Sequence, residues 1–214
     1  MVDRPLIFTM EDLRLMPSVT RVHYVACAGN SYLGVGSRRN AKVVSETHGG
    51  SFCAEWTGVL LSTVLKEVGV QKGAAWLVPE SADAKKHTMT SPLAKGFDDA
   101  ILAYGQNGDL LRPEQGYPLR FLAPGFEGTR NIKWLRRIKV TATPYMTNYE
   151  IKCYANWKKK DGKGRWFQFE MEPGGTITFP SGEQKLPGPG FYEITGLDWS
   201  GGGSVRKLEV STDG

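Results

Sequence analysis

The sequence predicts an α+β domain over residues 1–164, followed over 165–214 by the start of an all-β domain. Three observations predict it. Up to Gly164, short strand-like runs mix with amphipathic stretches and glycine-rich loops, without the regular alternation of a βαβ winding. After Gly164 come strand-like runs divided by turn residues, with no helical period. The chain then stops at "STDG", where another strand is expected, because one hairpin is marginal alone. The sequence therefore reads as a fragment of a longer protein.

The elements follow in order. Thr9 is the expected N-cap of a short helix in "MEDLRLM", with acids in its first turn. "RVHYVAC" alternates as a strand, with Val22, Tyr24 and Ala26 on one face. A Gly- and Ser-rich loop is expected from there to about Gly50. "EWTGVLLSTVLKEVGV" has the clearest helical period: Leu60, Leu61, Val64, Leu65 and Val68 face a core, and Gly69 ends it. "AAWLVP" reads as a short buried strand. "SPLAKGFDDAILAYGQNGDLL" opens a helix at Pro92 and closes on a hairpin at Asn107-Gly108. "GYPLRFLAPG" and "NIKWLRRIKVTAT" supply further strands. Beyond Gly164, "WFQFEM", "GTITFP", "GFYEITGLDWS" and "VRKLEVSTDG" are expected strands, the last two joined as a hairpin through "SGGGS".

The composition, 40% hydrophobic and 23% charged over 214 residues, is that of an ordinary globular protein. No apolar run approaches the ~18 residues of a membrane helix. "MVDRPLIFTMEDL" has no basic start, apolar centre or small-residue cleavage site, so no signal peptide is read there. The 27 basic residues against 22 acidic ones give a net charge of +5, with much of the excess in "WLRRIKV" and "NWKKKDGKGRW". Such a patch suits nucleic acid, an acidic protein or a small anion. Without an RNA-recognition or zinc-finger signature, a solvated basic turn is the expectation for Lys158 to Lys160, and no nucleic-acid or membrane partner is expected. Cys27, Cys53 and Cys153 are odd in number and form no CxxC, so neither a disulfide framework nor a zinc site is suggested. His23, His48 and His87 make no HExxH, and no CxxCH is present for a covalent c-type haem.

Cys27 stands out. In "YVACAGNSY" a thiol ends an apolar strand just where Ala-Gly-Asn turns the chain away. A structural cysteine is ordinarily packed inside its element; this one sits where the backbone leaves the strand, and taken alone a small buried hydrophobe is the favoured reading.

"CAGN", "EWTGVLL", "LAYGQNG", "GYPLRFLAPGFEGTRNIKWLRRI" and "ITGLDWSGGG…VRKLEVSTDG" together resemble the sulfite oxidase family of molybdenum enzymes, in order and over nearly the whole chain. Within it, "HYVACAGN", "GQNGDLLRPEQGYPLR" and "YEITGLDWSG" most resemble the sulfane dehydrogenase (SoxC) branch of the bacterial thiosulfate-oxidising system. The resemblance implies a molybdopterin-binding domain, then an immunoglobulin-like dimerisation domain beginning after residue 164. It implies a molybdenum–molybdopterin cofactor, with Cys27 as the metal ligand. A soft thiolate matches a metal already held by the pterin's sulfur atoms, and Gly29 keeps a β-carbon away from the cofactor.

The same resemblance places Arg120, Asn131, the Ile132 backbone and Lys133 at the family's pterin contacts. An arginine fork holds a phosphate by two bonds and a lysine supplies a point charge. Asp83 resembles an acceptor for the pterin ring, although a plain loop aspartate is an equal alternative. Tyr154 resembles the tyrosine that donates to an oxygen on metal or substrate, with Tyr145 and Tyr149 as competitors. Cys153 is expected to be a packed thiol.

Departures bear on the substrate. Where sulfite oxidases resemble "CAGNRR", this chain has Ser31 and Tyr32, and Gln115 stands where they carry a histidine. A pocket with fewer cations suits a sulfane sulfur on a carrier protein better than free sulfite. The family's upstream Arg/His segment precedes the residues covered here. By resemblance the protein is periplasmic, passes electrons to a SoxD-like c-type cytochrome, takes substrate from a SoxYZ-like sulfur carrier, and forms a homodimer through the β domain. Sulfite dehydrogenase is the alternative within the class. A cofactor-free interaction module is the alternative outside it.

Overall fold

The computed structural model describes residues 1–31, 42–157 and 165–211. The elements are α1 (Met10–Leu15), β1 (Ser18–Ala26), α2 (Val44–His48), β2 (Ser51–Leu60), α3 (Leu61–Val68), β3 (Trp76–Ser81), β4 (Ser91–Pro92), α4 (Leu93–Asp98) and β5 (Ile101–Gln106). They continue as β6 (Asp109–Leu110), β7 (Arg120–Leu122), β8 (Leu135–Thr141), α5 (Asn148–Lys152), β9 (Ala155–Trp157), β10 (Arg165–Phe167), β11 (Gly174–Phe179) and β12 (Thr195–Trp199). Helices and antiparallel strands are mixed, as the α+β reading requires.

A five-stranded sheet in the order β1-β2-β5-β6, with β7 also on β5, is the frame of the molecule. β1 and β2 pair over nine positions, from Ser18 opposite Val59 to Ala26 opposite Ser51. A second sheet runs β4-β3-β8. Helices α3 and α4 place Leu61, Val64, Leu65 and Leu93 in the main core with Leu77, Phe121 and Ile132. A smaller cluster of Val25, Ala54, Trp56, Ile101 and Leu122 lies on the large sheet.

Several expectations hold. Thr9 caps α1 through a capping box with Asp12. Asn107 and Gly108 both have positive φ, as a tight hairpin turn demands. Gly69 ends α3 at φ +66°.

The structure corrects four others. The long helix expected from Glu55 is strand to Leu60, and α3 occupies only Leu61–Val68. Pairing on both sides, with β1 and with β5, decides this; at the register shift between Thr57 and Gly58 the chains come so close that a Cβ on Gly58 would lie 2.2 Å from the Leu102 carbonyl oxygen. On β1 the core-facing set is Val19 and Val25, whereas Val22 is 65% exposed. Residues 205–210, expected as a strand hairpinned to the previous one, form none; β12 pairs with β11 instead. Helices α2 and α5 occupy stretches with no helical expectation. The division placed after residue 164 falls outside the described residues, between β9 and β10, which pair with each other.

Candidate functional site

β1 delivers its last side chains to one end of the sheet, and there the chain turns. The Cys27 N–H donates to the Gly50 carbonyl at 2.9 Å, and the Asn30 N–H donates back to the Cys27 carbonyl at 2.9 Å. Asn30 is buried; its Nδ2 donates to Ser51 Oγ at 2.7 Å and its Oδ1 accepts from the Gly50 N–H at 3.1 Å. The turn is thus stapled to the start of β2, and the Cys27 side chain is left exposed. The Gly29 N–H donates to Cys27 Sγ, 3.4 Å away, which fixes where the sulfur sits.

Two glycines let backbone approach this cysteine from both sides. A Cβ on Gly50 would lie 2.8 Å from Asn30 Oδ1 and 3.1 Å from Cys27 Cβ. A Cβ on Gly128 would lie 2.8 Å from the Ala26 carbonyl oxygen. At Gly29 a Cβ would stand 3.4 Å from Sγ, in contact with the thiol itself. Nothing in the sequence marked Gly50 or Gly128, since both act on residues far along the chain.

Cys27 opens onto a cavity of about 680 Å3. Asp83, Gln115, Arg120, Asn131, Lys133 and Tyr154 line the same cavity. Ile132 does not: it is fully buried in the main core, and its carbonyl accepts from the Phe121 N–H. Asn131 is committed to its own loop. Its Oδ1 accepts from the Ala123 N–H at 2.8 Å, and its Nδ2 donates to the Phe126 and Glu127 carbonyls. Its side chain therefore shapes the cavity wall.

Arg120, on β7, is 3% exposed and lies over the Trp56 ring at 4.8 Å. Nη1 and Nη2 donate to the Gln115 and Asn131 carbonyls, while buried Nε has no partner among the described residues. Burial pushes its pKa down to about 10, so the guanidinium stays charged at neutral pH. Lys133 Nζ donates to the Glu114 carbonyl at 2.6 Å; burial, then the Arg120 charge, lowers its pKa. Gln115 Oε1 accepts from the Arg112 N–H, fixing the turn whose carbonyl holds Arg120. Asp83 Oδ1 accepts from the His87 N–H at 3.0 Å, so this carboxylate orders its own loop as well as facing the cavity.

The three tyrosines separate. Tyr145 is 49% exposed beneath Lys139, and Tyr149 packs edge-on against His87. Neither lines the cavity, and Tyr154 does. Burial raises the Tyr154 phenol above its ordinary range, more than the adjacent Thr129 side chain lowers it. The phenol is therefore protonated at neutral pH and able to donate. Thr129 and Gln106 also line the cavity, and buried Thr129 Oγ1 and Gln106 Oε1 have no well-formed hydrogen bond among the described residues.

Cys153 is exposed and not packed as expected. In the basic stretch, Arg136 and Arg137 both pair with Glu80, at 2.6 and 2.7 Å. Tyr32 and Lys158 to Lys160 lie outside the described residues.

Residues 1–149 match the family model of the oxidoreductase molybdopterin-binding domain. The chain belongs to this family, the sulfite oxidase family of molybdopterin oxidoreductases. Among curated members, NADH nitrate reductases of Petunia hybrida and Brassica napus are 32% and 33% identical over the whole chain. The chain spans only 27% of the length of either one. The crystal structure of the sulfane dehydrogenase SoxCD from Paracoccus pantotrophus superposes with a TM-score of 0.85 at 35% identity, covering 94% of this chain and 52% of that one.

The residues present fit the cofactor that the molybdopterin family implies. An exposed thiol with an N–H on its sulfur suits a soft metal. A buried guanidinium with an unpartnered Nε, beside a lysine, suits an anionic group. Glycines at the thiol leave the room a side chain would fill.

Proposed function

We propose that this chain forms the molybdopterin-binding part of a sulfane dehydrogenase, oxidising sulfane sulfur presented on a carrier protein. The observation that carries this is the shared cavity of the Cys27 thiol and the buried Arg120, in a fold 35% identical to a sulfane dehydrogenase. Cys27 would hold the molybdenum, Arg120 and Lys133 the anionic end of the pterin, and Asp83 its ring N–H groups. When bound, the group supplies a two-electron couple and transfers oxygen from water. Tyr154 would donate a hydrogen bond from its neutral phenol to a developing substrate oxyanion, keeping its proton. The carbonyls of Gln115 and Asn131 orient the Arg120 fork before any ligand arrives. Ile132 anchors the segment that carries Lys133 to the main core. Electrons would leave to a separate c-type cytochrome, and a periplasmic homodimer is the setting this reading implies.

Arg120→Met should lower molybdenum and pterin content together, because a charge-assisted contact in a buried site is worth about 1.5–3 kcal/mol, or roughly ten- to a hundredfold in affinity. Arg120→Lys, which keeps the charge and loses the fork, should fall between. Lys207→Met, at a side chain 73% exposed, should change nothing. Elemental analysis with pterin fluorescence on the full-length protein checks this, and equal content in all variants would remove Arg120 from the site.

Substrate choice is tested by restoring charge. Tyr32→Arg with Gln115→His should raise kcat/KM for sulfite by roughly ten- to a hundredfold and impair the carrier-bound reaction. The curated relatives favour a second reading, nitrate reduction, so nitrate belongs in the same assay. A parent protein that prefers sulfite or nitrate to a persulfidated carrier would overturn the sulfane reading. Absence of molybdenum from the full-length protein would leave an interaction module.

A further inference from the structure

We propose that Trp199, on the C-terminal sheet, is a positioning residue for the Cys27 thiol, so that this sheet is part of the machinery of the cavity. The proposal rests on the reading of Cys27 as a functional thiol, and its geometry is independent of any bound group.

Side chains alternate across a strand. On β1, Val25 faces the cavity, so Tyr24 points to the opposite side. There its ring stacks on Trp199, with centroids 5.5 Å apart and planes inclined by 26°. Trp199 also meets the His48 ring at 5.8 Å. It is seated against Gly174 of β11, where a Cβ would come within 2.8 Å of the indole. The indole therefore fills the space behind the cysteine turn.

The residues it touches are the ones that fix that turn. His48 accepts from Ser51 Oγ through its carbonyl, Ser51 Oγ accepts from Asn30, and Asn30 bonds to Gly50 and to the Cys27 carbonyl. Two residues on, Gly201 braces the other wall. Its N–H donates to the Met171 carbonyl, and the Met171 N–H donates to the Gly125 carbonyl. A Cβ on Gly125 would lie 2.4 Å from the Gly201 carbonyl oxygen. Gly125 begins the loop that carries Gly128 against the Ala26 carbonyl. One three-residue segment, Trp199 to Gly201, thus supports both backbone walls beside Cys27.

A small cavity of about 170 Å3 between Tyr24, His48, Ser51 and Trp199 shows that the packing is not saturated, and Tyr24 Oη is buried there without a partner. Removing the indole would enlarge this space and let the 48–51 turn settle into it. Cys27 would then lose its fixed relation to the Gly29 N–H.

The test is the alkylation rate of each cysteine by iodoacetamide at one fixed pH in cofactor-free full-length protein, resolved by peptide mass spectrometry. Trp199→Ala should change the Cys27 rate by about threefold or more. Cys153 should keep its rate, and Trp199→Phe should restore the wild-type Cys27 rate; Cys53 lies opposite Tyr24 on β2 and is no control. If Trp199→Ala does not fold, Trp199→Leu, which fills most of the volume without an aromatic face, takes its place. An unchanged Cys27 rate, or an equal change at Cys153, would overturn the proposal. Because this readout needs no molybdenum, its failure is separable from failure of the cofactor assignment, which the wild-type metal content decides.

Discussion

Cys27→Ser in the full-length protein should abolish turnover while the chain stays folded and retains its pterin. The side chain is exposed to the cavity, so replacing sulfur by oxygen removes little packing, and a stability change within about 0.5 kcal/mol is expected. The loop does not depend on the thiol, since Asn30, Gly50 and Ser51 hold it through other atoms. What changes is the donor. A soft thiolate becomes a neutral hydroxyl that matches a molybdenum–sulfur centre poorly. Arg120, Lys133 and Asp83 remain to hold the organic part. Turnover, melting temperature and pterin fluorescence should therefore separate cleanly, with only the first lost. A variant with wild-type turnover would remove Cys27 as the ligand.

Glu150→Ala should be the most destabilising single change outside the cavity, costing about 3–5 kcal/mol. Glu150 and Arg130 are both fully buried and meet at 2.5 Å. Glu150 also accepts from the Thr90 and Thr147 N–H groups and from the Thr90 hydroxyl, while Arg130 donates to the Thr90 and Gln168 carbonyls and stacks on Phe169. The pair joins α5, the Thr129 turn and the segment around Gln168. Removing the carboxylate strands a buried guanidinium. The double variant Arg130→Met with Glu150→Leu should recover much of the loss, because no charge is then left unpaired. Burial pushes the Glu150 carboxyl up, but its hydrogen bonds and Arg130 outweigh this and hold it below the usual range. Its contribution is then full above the ordinary carboxylate pKa and fades as pH falls through the depressed value. Urea titrations at neutral and acid pH measure both effects. A loss below about 1 kcal/mol would contradict the burial argument.

The legible part of this molecule is local. Thr9 and Asp12 sit three residues apart and cap α1, and Asn107-Gly108 can only turn one way. Cys27 was marked by ending an apolar run. The resemblance then placed Arg120, Lys133 and Tyr154 on what proves to be one cavity. The helix expected from Glu55 failed because apolar spacing in "EWTGVLL" suits both periods, and partners distant in sequence chose strand. The Ile132 side chain turns to the core between the cavity-lining Asn131 and Lys133, and its carbonyl is taken by the Phe121 N–H. Gly50, Gly128, Thr129 and Trp199 gave no signal, since each acts across many residues of chain. The Arg130–Glu150 pair was hidden for the same reason.

The central claim is that the Cys27 sulfur holds a molybdenum in this cavity. Molybdenum K-edge X-ray absorption on the full-length protein and on its Cys27→Ser variant tests it most directly. The account predicts that the variant keeps its metal and shows one sulfur neighbour fewer. An identical sulfur shell in both proteins would contradict it.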